Sequence, residues 1–134
     1  IVTAHELEVT GKVILPDDRQ MLSDQMLNYC HQGIDLILTT GGTGFSKRDV
    51  TPEATADIVE RRADNLTFAM IANSLQYTPK AMLSRGIAGI RENTLIVNLP
   101  GSPKAVRENL EYAIDAIIHG VKILKGDDAE CARK

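Results

Sequence analysis

The chain has 134 residues, 43% hydrophobic and 25% charged, enough for one domain with a real core over residues 1–134. A net charge of −3 and an aromatic content of 4% without tryptophan exclude a general pull towards nucleic acid or an anionic membrane, and a base-stacking surface. No apolar run reaches membrane-spanning length, no signal peptide is visible in residues 1–20, and Cys30 and Cys131 fit no metal spacing; the expectation is a cytoplasmic protein with reduced thiols.

In chain order, residues 1–6 read as the end of a helix whose beginning is absent, which points to a missing N-terminal segment. Leu7, Val9, Val13 and Leu15 alternate with polar or small residues and predict a strand. Pro16-Asp17-Asp18 ends it and opens a helix, with Leu22, Met26, Tyr29 and Cys30 at helical spacing and Gly33 as its stop. Ile34 to Thr39 reads as a strand buried on both faces. Thr51 to Arg62 and Asn65 to Leu75 are predicted helices, and Thr78-Pro79 restarts a short one through Leu83. Ile87–Arg91 and Thr94–Asn98 are two strands joined at Glu92-Asn93. A final helix from Pro103 to Leu124 carries a wide apolar stripe including Val106, Leu110, Ile114, Ile117 and Val121, and a charged tail follows Gly126. Strands alternating with helices predict an α/β fold in three layers, a mostly parallel sheet with helices on both faces.

Two stretches repeat one physical device. Leu36 to Thr40 runs as a strand into Gly41-Gly42-Thr43-Gly44, then a polar loop with Lys47, Arg48 and Asp49, then a helix start at Thr51-Pro52. Glycines let backbone amides approach a ligand, and a helix N-terminus favours an anion. Asn98-Leu99-Pro100-Gly101-Ser102-Pro103-Lys104 repeats the order of strand, glycine turn, cap and helix. Both turns fall at the carboxyl edge of strands, where α/β proteins bind ligands. The first stretch alone is equally an ordinary tight turn, and for the second alone ordinary capping is the favoured reading. Asp17 and Asp49 both follow strands, and carboxylates among phosphate-binding amides make electrostatic sense with Mg²⁺ between them and substrate phosphates; capping is the plain alternative for Asp17 or Asp18. Lys47, Arg48, Arg85 and Lys104 could neutralise phosphate charge or be solvated. His5, His31 and His119 share no metal spacing, and no Ser-His-Asp or Cys-His pattern is present.

Taken together, Leu38 to Gly44, Arg48 to Thr55, Leu83-Ser84-Arg85 and Asn98 to Lys104 resemble the MogA, MoaB and gephyrin G-domain family of molybdenum cofactor biosynthesis, over about Leu7 to Leu124. The resemblance implies a MogA-like fold and a molybdopterin adenylyltransferase. Such an enzyme transfers AMP from ATP to the terminal phosphate of molybdopterin, with Mg²⁺ required and pyrophosphate released. It implies that Asp17 and Asp49 are the catalytic, metal-holding aspartates. It implies that Thr43, Ser74 and Ser84 contact the pterin substrate and its phosphate, that Gly41, Gly42 and Gly44 lie at the reacting phosphates, and that Asn98, Pro100, Gly101 and Ser102 line the site. A homotrimer, and a hand-off of product to a molybdenum-insertion enzyme, are implied as well. The family's opening strand and Ser-Asp loop, which help bind nucleotide, have no counterpart in this sequence. A non-catalytic molybdopterin-binding or scaffold protein of the MoaB-like kind is the rival reading. The related CinA-type hydrolases fit less well, because they lack the Arg48–Ala54 run.

Overall fold

A computed structural model describes residues 7–126. Helix α1 (Arg19–His31) is followed by strand β1 (Leu36–Thr40), helix α2 (Thr51–Ala56), strand β2 (Arg61–Arg62), helix α3 (Asp64–Ser74), a 3-10 turn (Pro79–Leu83), strands β3 (Ala88–Arg91) and β4 (Thr94–Leu99), and the long helix α4 (Pro103–Leu124). The helix end expected in residues 1–6 and the tail beyond Gly126 lie outside the described residues.

Four strands form one sheet in the order β1-β4-β3-β2. Only β1 and β4 run parallel, with Leu36 opposite Leu95 and Thr40 opposite Leu99. The β4–β3 and β3–β2 pairs are antiparallel. The sheet is therefore mixed among the described residues, not mostly parallel. The difference comes from Arg91–Thr94, where a two-residue turn with Glu92 at φ 53° folds β3 straight back onto β4.

Strand β4 is buried along its whole length and separates two cores. Because successive side chains alternate, Leu95, Val97 and Leu99 face Met70 of α3 and Leu110, Ala113, Ile114, Ile117 and Val121 of α4. Ile96 faces the other way, onto Met26 and Cys30 of α1, Ala54 of α2 and Ile58. Helices thus cover both faces, in the expected three layers. Each fully buried side chain, such as Ile96, Ile114 or Ile117, contributes about 1.5–3 kcal/mol relative to exposure. No helix among the described residues is long and apolar enough to cross a membrane.

Two local expectations are corrected. Residues 7–15 form no strand. They pair with no strand of the sheet, and Val9, Val13 and Ile14 are exposed, Ile14 at 91%. An alternating pattern makes a strand only where a ladder partner accepts its backbone. The helix expected over Thr51–Arg62 ends at Ala56. Beyond it the chain turns to the sheet edge: Glu60 N donates to Ile90 O at 2.8 Å and Ala63 N to Ala88 O at 2.9 Å. Val59 packs so closely on Gly89 that a Cβ there would stand 2.7 Å from Val59 Cγ1. Edge-strand hydrogen bonds and the β-branched Ile58-Val59 pair outweigh continuation of the helix.

Candidate functional site

The two strand–turn–helix units meet. Parallel pairing of β1 with β4 brings their carboxyl ends side by side, and Gly41 N donates to Leu99 O at 3.0 Å. Gly41 and Gly101 then touch: a Cβ on Gly101 would lie 3.3 Å from Gly41 Cα. Gly41 and Gly42 hold φ of 86° and 68°, left-handed values that a side chain disfavours. At Gly42 a Cβ would fall 2.3 Å from Thr51 Oγ1, so the turn is also packed against the start of α2. Thr51 N donates to Gly42 O at 3.1 Å, closing the loop over residues 43–50. At the second turn Ser102 Oγ accepts from Ala105 N and caps α4, with Pro103 in the first helical turn.

A cavity of about 400 Å³ opens beside the paired turns, between α3, the 3-10 turn and the first turns of α4. Thr43, Gly44, Ser74, Ser84, Asn98, Pro100 and Ser102 line it. Gly41, Gly42 and Gly101 belong to the adjoining turns and do not line it. Asp49 sits against Gly44, where a Cβ would be 2.9 Å from Asp49 Oδ2. That same oxygen accepts from Ser46 N at 3.0 Å, while Oδ1 accepts no bond among the described residues. Asp17 is set apart. It is exposed, does not line the cavity and makes no hydrogen bond among the described residues, and Asp18 is the α1 cap, accepting from Met21 N at 2.9 Å.

The polar groups divide into those engaged internally and those that are free. Arg85, one of the four cations that could meet phosphate or be solvated, braces the glycine loop. Its backbone N donates to Thr43 O at 2.7 Å, its Nε to Gly44 O at 2.7 Å and its Nη2 to Asp49 O at 2.6 Å. Its Nη1 reaches Glu53 Oε2 at 2.6 Å, and this hydrogen bond holds the Glu53 carboxyl below its ordinary pKa and raises that of Arg85. Asn98 is similarly engaged: Oδ1 accepts from Ile87 N, and Nδ2 donates to Thr39 Oγ1 and Thr55 Oγ1, each at 3.0 Å. It ties β4 to β1 and α2 while forming part of the cavity wall. Lys47 and Arg48 are exposed and outside that wall, whereas Lys104 and Lys80 belong to it.

Further wall residues carry no motif: Thr67, Met70 and Ile71 of α3, and Glu108 and Asn109 of α4. A polar Asn109 beside the apolar stripe of α4 is the local signal that could have added to Ser74 in marking this wall. No group of three or more His, Cys, Asp or Glu side chains gathers among the described residues. Mg²⁺ does not require one, since one or two carboxylates plus substrate phosphates suffice. The free oxygen of Asp49 beside the glycine loop fits that donor set; the exposed Asp17 is the weaker member.

The chain matches the family model described as "Probable molybdopterin binding domain" over residues 1–119. It is 47% identical over 116 residues to gephyrin of Dictyostelium discoideum, covering 87% of this chain and 16% of gephyrin. It is 42% identical over 115 residues to the molybdopterin adenylyltransferase of Helicobacter pylori, covering 85% of this chain and 65% of that enzyme. This chain spans less than two thirds of the length of either protein. The crystal structure of the molybdopterin biosynthesis enzyme MoaB from Thermus thermophilus superposes with a TM-score of 0.83 at 43% identity, over 89% of this chain and 76% of that one. Matched across nearly all of its length by sequence and by fold, the chain belongs to the molybdopterin-binding family that includes these proteins.

Proposed function

We propose that the chain is the catalytic part of a molybdopterin adenylyltransferase. The observation that carries this reading is the contact of Gly41 with Gly101 beside the cavity, with Asp49 against Gly44. Two glycine turns, each leading into a helix N-terminus, offer backbone amides to two anionic groups at once. Adenylyl transfer needs that arrangement, because both reactants are phosphates. An oxygen of the terminal phosphate of molybdopterin attacks the α-phosphorus of ATP. A new phosphoanhydride bond forms, the Pα–O–Pβ bond breaks, and the electron pair leaves with pyrophosphate.

The attacking phosphate is already ionised at neutral pH, so no strong general base is required. The chain's part is positioning and charge stabilisation. The amides of both turns orient the phosphates, the Thr43 hydroxyl adds a hydrogen bond, and Lys104 and Lys80 offset negative charge. Arg85 keeps the loop shaped through its three backbone acceptors. When bound, Mg²⁺ would neutralise charge on the reacting phosphates, held by Asp49 and, in this reading, by Asp17. Ser74 and Ser84 are assigned to the pterin side of the cavity. A homotrimer and hand-off of the adenylylated product to a molybdenum-insertion enzyme complete the reading.

Incubating the full-length protein with molybdopterin, ATP and Mg²⁺ tests it. Adenylylated molybdopterin and pyrophosphate in equal amounts are expected. Tight molybdopterin binding with neither product would favour the non-catalytic binding or scaffold reading.

A further inference from the structure

The α3–α4 wall of the cavity is chemically unlike the end at the glycine turns. Thr67, Met70, Ile71 and Ser74 recur at i, i+3, i+4 and i+7, so one face of α3 forms the wall, with a hydroxyl at each end and two apolar side chains between. At ~1.5 Å of rise per residue the two hydroxyl-bearing residues stand about 10 Å apart along the helix, the length of a fused ring system. Opposite lies Asn109, only 6% exposed. Its Oδ1 accepts from Ser74 Oγ at 2.8 Å, while its amide NH₂ makes no hydrogen bond among the described residues. Thr67, 9% exposed, likewise leaves Oγ1 without a partner. A buried polar group left unpaired costs about 1–3 kcal/mol, so the Thr67 hydroxyl, with the accessible Asn109 amide facing the same cavity, points to a ligand that completes them.

The charge pattern says which part of a ligand belongs there. Glu108, next to Asn109, is the one acidic residue of the wall, and a phosphate beside it would be repelled. The lysines and the glycine turns provide the anion-binding end. A neutral heterocycle lying on Met70 and Ile71 would present a carbonyl oxygen or ring nitrogen to the Asn109 amide. Thr67 joins by rotating about χ1, since a helical threonine has two accessible rotamers.

We infer that Asn109 and Thr67 recognise the pterin ring of molybdopterin and set the specificity of this cavity for it. The inference rests on the proposed function only in naming molybdopterin as the substrate held here. Asn109→Asp is the informative substitution: a carboxylate still accepts from Ser74 Oγ but cannot donate to the ring. Thr67→Val removes the hydroxyl at constant shape, and Thr67→Ser restores it.

The experiment measures the affinity of the full-length protein for molybdopterin and for ATP separately, without turnover, with thermal unfolding alongside. Asn109→Asp and Thr67→Val should each weaken molybdopterin ~10-fold and leave ATP affinity unchanged, with Thr67→Ser close to the parent. Unchanged molybdopterin affinity, an equal loss for both ligands, or a loss for ATP alone would overturn the inference. Product formation by the parent together with unchanged molybdopterin affinity in the variants sinks this inference alone. A selective loss of molybdopterin affinity in a protein that forms no product sinks adenylyl transfer alone.

Discussion

Gly41 and Gly101 are distant in sequence, yet their backbones pack closely: a Cβ on Gly101 would be a tight 3.3 Å from Gly41 Cα. This contact joins the carboxyl ends of β1 and β4 and makes one site of two separate turns. The glycine loop is correspondingly intolerant. Gly42→Ala combines a left-handed φ of 68° with a Cβ 2.3 Å from Thr51 Oγ1. Backbone strain alone is about 1–2 kcal/mol, and displacement of Thr51 adds to it. Denaturant unfolding should therefore show a larger loss for Gly42→Ala than for Gly33→Ala, where φ is also positive but a Cβ would meet nothing within 4 Å. Equal losses would mean that the packing against Thr51 contributes nothing.

The Arg85–Glu53 pair gives stability a defined pH dependence. The hydrogen bond from Arg85 lowers the Glu53 pKa in the folded state. A carboxyl with a depressed folded pKa stabilises the fold above its unfolded value, ordinarily about 4.3, and loses that contribution as pH falls through the lower folded value. Glu53→Gln should therefore unfold at a lower temperature than the parent at pH 7, with the gap closing below about pH 4. A gap independent of pH would show that the carboxylate charge is not the source. The Arg19–Asp57 pair is exposed and titrates in the same direction, so the variant must be compared with the parent at each pH.

Arg85 also bears on activity without itself lining the cavity, through its bonds to the wall residues Thr43 and Gly44. Arg85→Lys keeps the charge but cannot reach Gly44 O, Asp49 O and Glu53 together with one ammonium group. Loop misplacement of an ångström costs roughly 10² in rate. The turnover number should fall by about that factor with ATP affinity little changed. A loss confined to ATP affinity would return Arg85 to the role of a phosphate ligand.

Asn98→Ala should destabilise the fold through its partners. It leaves Ile87 N and the Thr39 hydroxyl without their bonds at a buried position and removes one partner of Thr55. Unmade buried hydrogen bonds cost about 1–3 kcal/mol apiece, so a total loss of at least about 2 kcal/mol is expected by chemical denaturation. A loss under about 1 kcal/mol would mean that the network is not what fixes β4 to β1.

The sequence was most legible where periodicity and local chemistry agreed. The stripe of α4, the Ser102 cap with Pro103, the Gly33 stop and the β3–β4 hairpin at Glu92-Asn93 all follow from neighbouring residues. Residues 7–15 and 58–62 misled for one shared reason: a strand is defined by its partner, and neither alternation nor helix propensity reveals one. The same holds in the site. The glycine turns announced themselves, but the long-range brace from Arg85, the engagement of Asn98 and the pairing of Ser74 with Asn109 depend on contacts across 35 or more positions or on two elements meeting. Thr67 carried no local sign at all.

The most direct test of adenylyl transfer at this site is turnover by Asp49→Asn beside the parent. The amide oxygen can still accept from Ser46 N, so the loop survives while the negative charge is lost. The expected result is a variant with parental thermal stability that binds molybdopterin normally and forms no adenylylated product. A folded Asp49→Asn that produces adenylylated molybdopterin and pyrophosphate at the parental rate would contradict the role given to this carboxylate and the mechanism built on it.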